Sequence, residues 1–320
     1  MRGLRPVPPS IHRKLEPPVR ALVFDGFGPA DVLHVADVAE PVPGAGQVRV
    51  RVAAAAVNPA DWKIRSGASA AFHHVVFPAI TGLDVAGVVD SVGDGVTAWR
   101  AGDEVFGVAD SGAAAEYAVL SNPARKPSKM GWATAAALPS AAETGLRAVD
   151  LLGVQRGDAL VVNGAAGGVG LAASQFAIAR GATVVGTASE GNHDALRGLG
   201  IEPVRYGAGV VDRVRALQPH VDRALDAAGH DALQALLELV GGDASRVITV
   251  ADGSAAQLGI RFTIGAERRY WEALPLAADL ATSGRFAMPI ARTFPLDQGA
   301  DAHRTSESGH VLGKLVFDLA

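Results

Sequence analysis

The sequence predicts an α/β protein in two parts, a β-rich part and a doubly wound parallel sheet. Three observations predict it. From Val19 to about Arg125, short apolar strands are separated by Gly, Pro and Asp clusters. From about Lys126 the texture changes to strands alternating with helices. Within that second part, Ala159-Leu-Val-Val-Asn-Gly-Ala-Ala-Gly-Gly-Val-Gly170 passes from an apolar strand through a glycine-rich turn into an apolar helix.

Each element has its own signal. Residues 1–18 carry Pro6, Pro8, Pro9, Pro17 and Pro18 among basic residues, with no apolar run. They read as a disordered extension, not a secretory signal. Val19 opens the first good strand. Val48, Val50 and Val52 alternate with Arg49 and Arg51, the period of two of a half-buried strand. Further strands are expected at Asp84–Val92, Glu104–Val108 and Glu116–Leu120, set apart by Pro41–Gly46, Gly93–Gly95 and Gly102-Asp103. Together they predict a partly closed β-domain.

In the second part, strand Ala159–Val162 leads to helix Val169–Ala179, capped by Gly181. Strand Thr183–Gly186, a short helix Asp194–Leu199 stopped by Gly200, strand Val204-Arg205 and helix Val210–Leu217 follow. Strand Arg223–Leu225, helix Ala232–Val240 and strands Val247–Val250 and Arg261–Thr263 complete the series. Such a succession packs as a parallel sheet covered by helices on both faces. Leu276–Ala320 holds a helix, a Pro-bounded strand and a terminal strand, Lys314–Phe317, and is expected to return to the first part.

Composition narrows the function. A chain of 320 residues, 49% hydrophobic and 19% charged, suits two well-buried domains. The net charge is −4, with no basic block after residue 20, which argues against nucleic acid or an anionic membrane as partner. The absence of cysteine excludes disulfides, thiolate nucleophiles and Cys-ligated zinc, and fits a cytoplasmic protein. Residues 159–179 carry no charge, yet their glycines and Asn163 mark a strand and helix, not a membrane span.

The glycine-rich turn, in its strand–turn–helix context, is a candidate dinucleotide site. Ala165 stands at the first glycine of the usual pattern. Gly167 lets backbone approach a pyrophosphate, Gly170 lets helix pack on strand, and Gly168 and Val169 lie at the helix N-terminus, whose N–H groups suit phosphate. The alternative is a tight turn in an ordinary parallel sheet. About 20 positions beyond the glycines such units place an acidic residue on the ribose 2′-OH. Here that place falls on Ser189, whose hydroxyl would not repel a 2′-phosphate, so the cofactor reads as NADPH. Glu190, one residue on, is the acidic alternative.

Several separated segments carry a resemblance. They are Val57-Asn-Pro-Ala-Asp-Trp-Lys-Ile-Arg-Ser-Gly67, Gly82-Leu-Asp-Val-Ala-Gly-Val-Val89, Asn163 to Gly170, and Ser308-Gly-His-Val-Leu-Gly-Lys-Leu-Val316. In these the chain resembles the medium-chain dehydrogenase/reductase superfamily, in its zinc-free quinone oxidoreductase (zeta-crystallin-like) branch. The resemblance implies a GroES-like β-barrel catalytic domain, residues 19–126 and 267–320, interrupted by a Rossmann NADP-binding domain, residues 127–266. NADPH and substrate would lie in the cleft between them. It also implies a homodimer joined through the edge of the Rossmann sheet.

Zinc-dependent members of that superfamily carry a cysteine near the place of Asn58, and Gly-His-Glu where this chain has Gly82-Leu83-Asp84. Both the cysteine and the histidine are missing, so no metal is expected. Without a Lewis acid to make an alkoxide, conjugate reduction is the easier reaction. The expected activity is hydride transfer to the C=C bond of an α,β-unsaturated carbonyl, or to a quinone. An enoyl-thioester or polyketide-tailoring reductase, and a non-catalytic NADPH-binding protein, are the alternatives.

By resemblance, Asn58 lines the nicotinamide pocket and donates to the developing enolate; otherwise it caps the turn before Pro59. Lys63, in an Asp61-Trp62-Lys63 form similar to alkenal and enone reductases, would bond the nicotinamide ribose or the enolate oxygen; otherwise it is a solvated surface lysine. Thr144 would sit near the nicotinamide carboxamide, although here it follows Glu143 and not the usual apolar residue. Tyr206 and Lys314 would join Ser189 around the 2′-phosphate, with His193 and Arg197 the nearest basic candidates.

Overall fold

The computed structural model describes residues 18–320; apart from Pro18, the extension expected over 1–18 lies outside the described residues. The first part comprises β1 (Val19–Phe24), β2 (His34–Val38), β3 (Val48–Val57), α1 (Pro59–Arg65), β4 (Ala79–Ile80), β5 (Asp84–Val92), β6 (Glu104–Val108), β7 (Tyr117–Leu120) and β8 (Ala124–Arg125). Along β3, Val48, Val50 and Val52 are buried and Arg51 is exposed, as the alternation requires. From Val52 onward every residue is buried, because both faces of the strand are then covered.

The second part continues with α2 (Trp132–Ala136), α3 (Pro139–Leu151), β9 (Ala159–Asn163), α4 (Gly168–Arg180), β10 (Thr183–Ala188), α5 (His193–Gly198), β11 (Glu202–Arg205) and α6 (Val210–Leu217). Then come β12 (Arg223–Asp226), α7 (Leu233–Leu239), β13 (Val247–Thr249), β14 (Arg261–Phe262), α8 (Ala273–Thr282), β15 (Ile290–Pro295), α9 (Gly299–Glu307) and β16 (Lys314–Asp318).

Strands β9 to β14 form one six-stranded sheet in the order β11-β10-β9-β12-β13-β14, every pair parallel. This is the doubly wound order, with its switch point between β9 and β12. Leu160 and Val162 face one layer with Leu171 and Phe176, whereas Val161 faces the other with Val214 and Leu236. Burial on both faces explains why β9 has no polar alternation.

The remaining strands form a three-stranded sheet, β2-β1-β4, and a seven-stranded one, β15-β16-β3-β5-β6-β8, with β7 also on β3. The terminal strand β16 pairs antiparallel with β3, Leu315 opposite Val57. This carries the C-terminus to the strand that ends at Asn58. At the same place Gly313 N–H donates to Ala166 O at 2.8 Å, and Gly313 bridges Gly167 in parallel register. The β-rich half and the Rossmann sheet therefore meet backbone to backbone here.

Four helices, α1, α2, α3 and α9, lie outside the elements expected from sequence, α2 being only five residues long. α1 is short and follows Asn58-Pro59, a pattern read as a turn. α3 buries Glu143 and Arg147 within its apolar face, which breaks the helical hydrophobic period. α9 starts at a glycine and buries only Gly299, Ala302 and His303, too little to give a stripe.

Candidate active site

The glycine turn is shaped by its backbone. β9 ends at Asn163, and the chain reverses at Gly164 with φ +79°, a left-handed conformation that glycine adopts without penalty. Gly170 packs against this turn, where a Cβ would lie 2.2 Å from the Gly164 carbonyl oxygen. Ala165 is fully buried, and its methyl faces the space left empty by Gly186 on β10. That pairing is how alanine serves at the first glycine position. Gly167, Gly168, Val169 and Gly170 line a cavity of about 140 Å³. The opening N–H groups of α4, a helix of 13 residues, lack intrahelical acceptors and lie at its positive end.

Asn58, Pro59 and Lys314 form the facing side of the cavity. Here buried polar side chains make one network. Lys314 Nζ donates to Asn58 Oδ1 and lies 3.4 Å from Asp84 Oδ2. Asn58 Nδ2 donates to Asp84 Oδ2 at 3.0 Å, and the Asn58 N–H donates to Asp61 Oδ2 at 2.7 Å. Asp84 Oδ1 accepts from the Ser140 N–H at 3.0 Å and its hydroxyl at 2.5 Å, tying the first residues of α3 to β5. Burial pushes the Asp61 carboxyl up to about 7, against the pull of the Asn58 N–H; Asp84 adds to the rise and Lys314 offsets it.

Lys314 is thereby reassigned. The resemblance set it beside Ser189 and Tyr206, but it is buried, with its ammonium held by Asn58 and Asp84. A buried cation requires a buried partner, and Asp84 provides it. Asp61, Asp84 and Ser140 were not singled out as site residues from sequence. The available signal was polar residues in otherwise apolar surroundings, but their partners lie on distant segments.

The C-terminal ends of the Rossmann strands carry a second network. Asn163 Nδ2 donates to Asp226 Oδ1 at 2.8 Å, Thr187 Oγ1 donates to Asn163 Oδ1 at 2.7 Å, and Thr249 Oγ1 donates to Asp226 Oδ2 at 2.7 Å. These buried groups lock β9, β10, β12 and β13 at the switch point, where a ligand crevice forms. Beside it, Ser189 is half-buried after β10 and Tyr206 is half-exposed after β11. Arg205 lies 3.6 Å from Glu190, both exposed, and pairs in register with Ala188. No local motif marks this basic residue in the sequence. His193 instead contacts Ala188 O, and Arg197 pairs with Asp194 and Glu202.

Lys63 is half-buried, with its ammonium 5.6 Å from the centre of the Trp62 ring, and is not among the residues around the cavity. Thr144 lies one helical turn after Ala141, which does line it. On the outer side of α1, Arg65 and His303 are buried together, and both His303 ring nitrogens lack partners. Burial, with the Arg65 guanidinium beside it, drives the His303 pKa down to about 3.

Comparison with known proteins agrees with this geometry. Residues 44–135 match the alcohol dehydrogenase GroES-like domain, and residues 199–317 match the zinc-binding dehydrogenase family. The chain is 30% identical to a human quinone oxidoreductase over 94% of its own length and 98% of that protein. It is also 30% identical to the 2-methylene-furan-3-one reductase of Solanum lycopersicum, over 93% of this chain and 79% of that one. Among solved structures, the quinone oxidoreductase from Coxiella burnetii superposes with a TM-score of 0.83 at 30% identity, covering 95% of this chain and all of the other.

Proposed function

The chain belongs to the medium-chain dehydrogenase/reductase superfamily, in the branch of the zinc-free quinone and enone reductases, and on that footing we propose that it is a zinc-independent, NADPH-dependent reductase of enones or quinones. The observation that carries this reading is the fixed amide of Asn58 at the cavity edge. Its carbonyl oxygen accepts from the Lys314 ammonium, and its nitrogen gives one hydrogen to Asp84. One N–H remains. An ammonium on the carbonyl oxygen polarises the amide and makes that N–H a stronger donor.

A bound nicotinamide would supply the hydride. An enone reduced at its β-carbon would develop negative charge on its carbonyl oxygen, which a preoriented donor stabilises. Asn58 takes this role. Lys314 is the cation of the floor, in a chain with no cysteine and with Leu83 at the place of the family's ligand histidine. Lys63, on the same short helix, is a second donor candidate, for the nicotinamide ribose or the enolate oxygen. The α-carbon or the oxygen would then take a proton from water or a side chain.

The glycine turn Ala165–Gly170 and the N-terminus of α4 fit a pyrophosphate. A Cβ at Gly167 would meet nothing nearer than the Gly164 oxygen at 3.5 Å, so the backbone is open to close approach. Ser189, Tyr206 and Arg205 support NADPH at the far ribose. Residues 19–126 with 267–320 are the catalytic half and 127–266 the cofactor half. The protein is read as a cytoplasmic homodimer; among the described residues no helix is long and apolar enough to cross a membrane.

The test is NADPH oxidation with 2-alkenals, cyclic enones, benzoquinone and crotonyl-CoA, with NADH as control and EDTA present. Enone or quinone turnover with NADPH, undiminished by EDTA, is expected. Asn58→Leu is expected to lower kcat about 100-fold or more while NADPH binding is kept. Cofactor binding without turnover of any of these would leave a non-catalytic binding protein.

A further inference from the structure

A second buried ionic cluster lies on α3, beyond the floor network. Glu143 and Arg147 are 1% and 2% exposed. Arg147 Nε donates to Glu143 Oε1 at 2.9 Å and Nη2 to Oε2 at 3.2 Å. The pair also reaches outward. Glu143 accepts from the Tyr270 N–H at 3.2 Å and from Arg269 Nη1 at 3.3 Å, and Arg147 Nη1 donates to Thr263 Oγ1 at 2.7 Å. All three outer partners belong to residues 263–270, in the connector between β14 and α8. At its start, Phe262 meets Phe72 of the first part edge-on, with ring centres 6.3 Å apart.

Thr144 lies inside this cluster. Its hydroxyl donates to Glu143 Oε2 and accepts from Arg147 Nη2, each at 3.3 Å. A hydroxyl has one proton and two lone pairs. The proton and one lone pair are committed, so one lone pair remains and Thr144 can meet a further partner as an acceptor only.

We propose that the buried Glu143–Arg147 pair is a positioning device for the nicotinamide pocket: it staples residues 263–270 to α3 and holds Thr144 as an acceptor for the carboxamide NH₂. The inference rests on the NADPH-dependent reading above. Desolvation explains why an ion pair serves here. Inside the protein its hydrogen bonds are strong and directional, and neither group has water to turn to. Glu143 and Arg147 touch no substrate in this scheme; they act through Thr144 and the connector.

The experiment has two arms. In the first, amide hydrogen exchange over 263–272 is compared, without ligand, between the parent, Glu143→Gln and Thr263→Val/Arg269→Ala. The double variant guards against misfolding, because it alters only the connector and Arg269 is half-exposed. Faster exchange confined to the connector is expected in both variants, and unchanged exchange overturns the staple. In the second arm, calorimetry compares binding of NADP⁺ with that of its 3-acetylpyridine analogue, which has no NH₂ to donate. The parent is expected to prefer the carboxamide about tenfold, the worth of one hydrogen bond, and Thr144→Val and Glu143→Gln to lose that preference. Equal preference in all three proteins overturns the acceptor role. If the parent binds neither dinucleotide, the cofactor reading fails, and the exchange arm still decides the staple.

Discussion

The two walls of the cleft are made in opposite ways. The glycine turn is contiguous in sequence, and its shape comes from backbone: a left-handed residue at Gly164 and a missing Cβ at Gly170. The floor is assembled from side chains of Asn58, Asp84, Ser140 and Lys314, residues far apart in the chain, and is held by buried charge. A wall of backbone tolerates changes in charge but not in volume. A wall of ion pairs tolerates changes in volume but not the loss of one partner.

The sharpest way to break this contrast is Lys314→Met. It leaves Asp84 buried without its cation and is expected to cost about 3–5 kcal/mol in urea unfolding. Adding Asp84→Leu removes the unpaired carboxylate but orphans the Asn58 and Ser140 donors it accepts from, so only part of that loss should be recovered. A single variant as stable as the parent would show that the floor does not depend on charge.

Two titrating groups, Asp61 of α1 and His303 of the adjoining α9, sharpen the contrast next. Asp61 is raised from 3.8 to about 7, so folding favours its neutral form. Its contribution to stability is complete at acid pH and falls as pH rises from about 4 to 7. His303 is lowered from 6.5 to about 3, so its contribution is complete above 6.5 and falls as pH drops toward 3. The two slopes oppose each other, each approaching 1.4 kcal/mol per pH unit at full effect. The parent is therefore expected to be nearly flat between about pH 4 and 6.5 with respect to these groups. His303→Leu should become more stable as pH falls through that window, and Asp61→Asn less stable. Urea midpoints across the window check both signs, and parallel profiles for all three proteins would contradict them.

On the backbone wall, Gly170→Ala should cost about 1–3 kcal/mol by overpacking the turn, and should weaken dinucleotide binding. Gly191→Ala is the control, since nothing lies within 4 Å of the Cβ it would add. The smallest effect is expected at Lys63→Ala. Its ammonium rests near the Trp62 ring, so stability should change by about 1 kcal/mol or less. A drop in kcat/KM larger than tenfold, with stability kept, would move Lys63 into the reacting centre.

The contrast also explains what could be read from sequence. Strands Asp84–Val92 and Glu104–Val108 and helix Val210–Leu217 are found with the bounds expected, because local periodicity and flanking glycines define them. The turn Gly164–Gly170 was legible for the same reason. The floor was only half legible. Asn58 stands out by its place before Pro59, but the pairing of Lys314 with Asp84 does not, because neither residue carries a local sign of the other. Glu143 was noticed only as an irregularity before Thr144. Its meaning needed Arg147 one turn on and a connector more than a hundred residues later.

The hydrogen bond from Gly313 to Ala166 has a mechanical consequence. It lies where the two halves touch, joins main chain to main chain, and adjoins both the glycine turn and Lys314. It fixes the glycine turn and Lys314 relative to each other through main-chain atoms, so no side-chain substitution removes the bond that spaces the two walls.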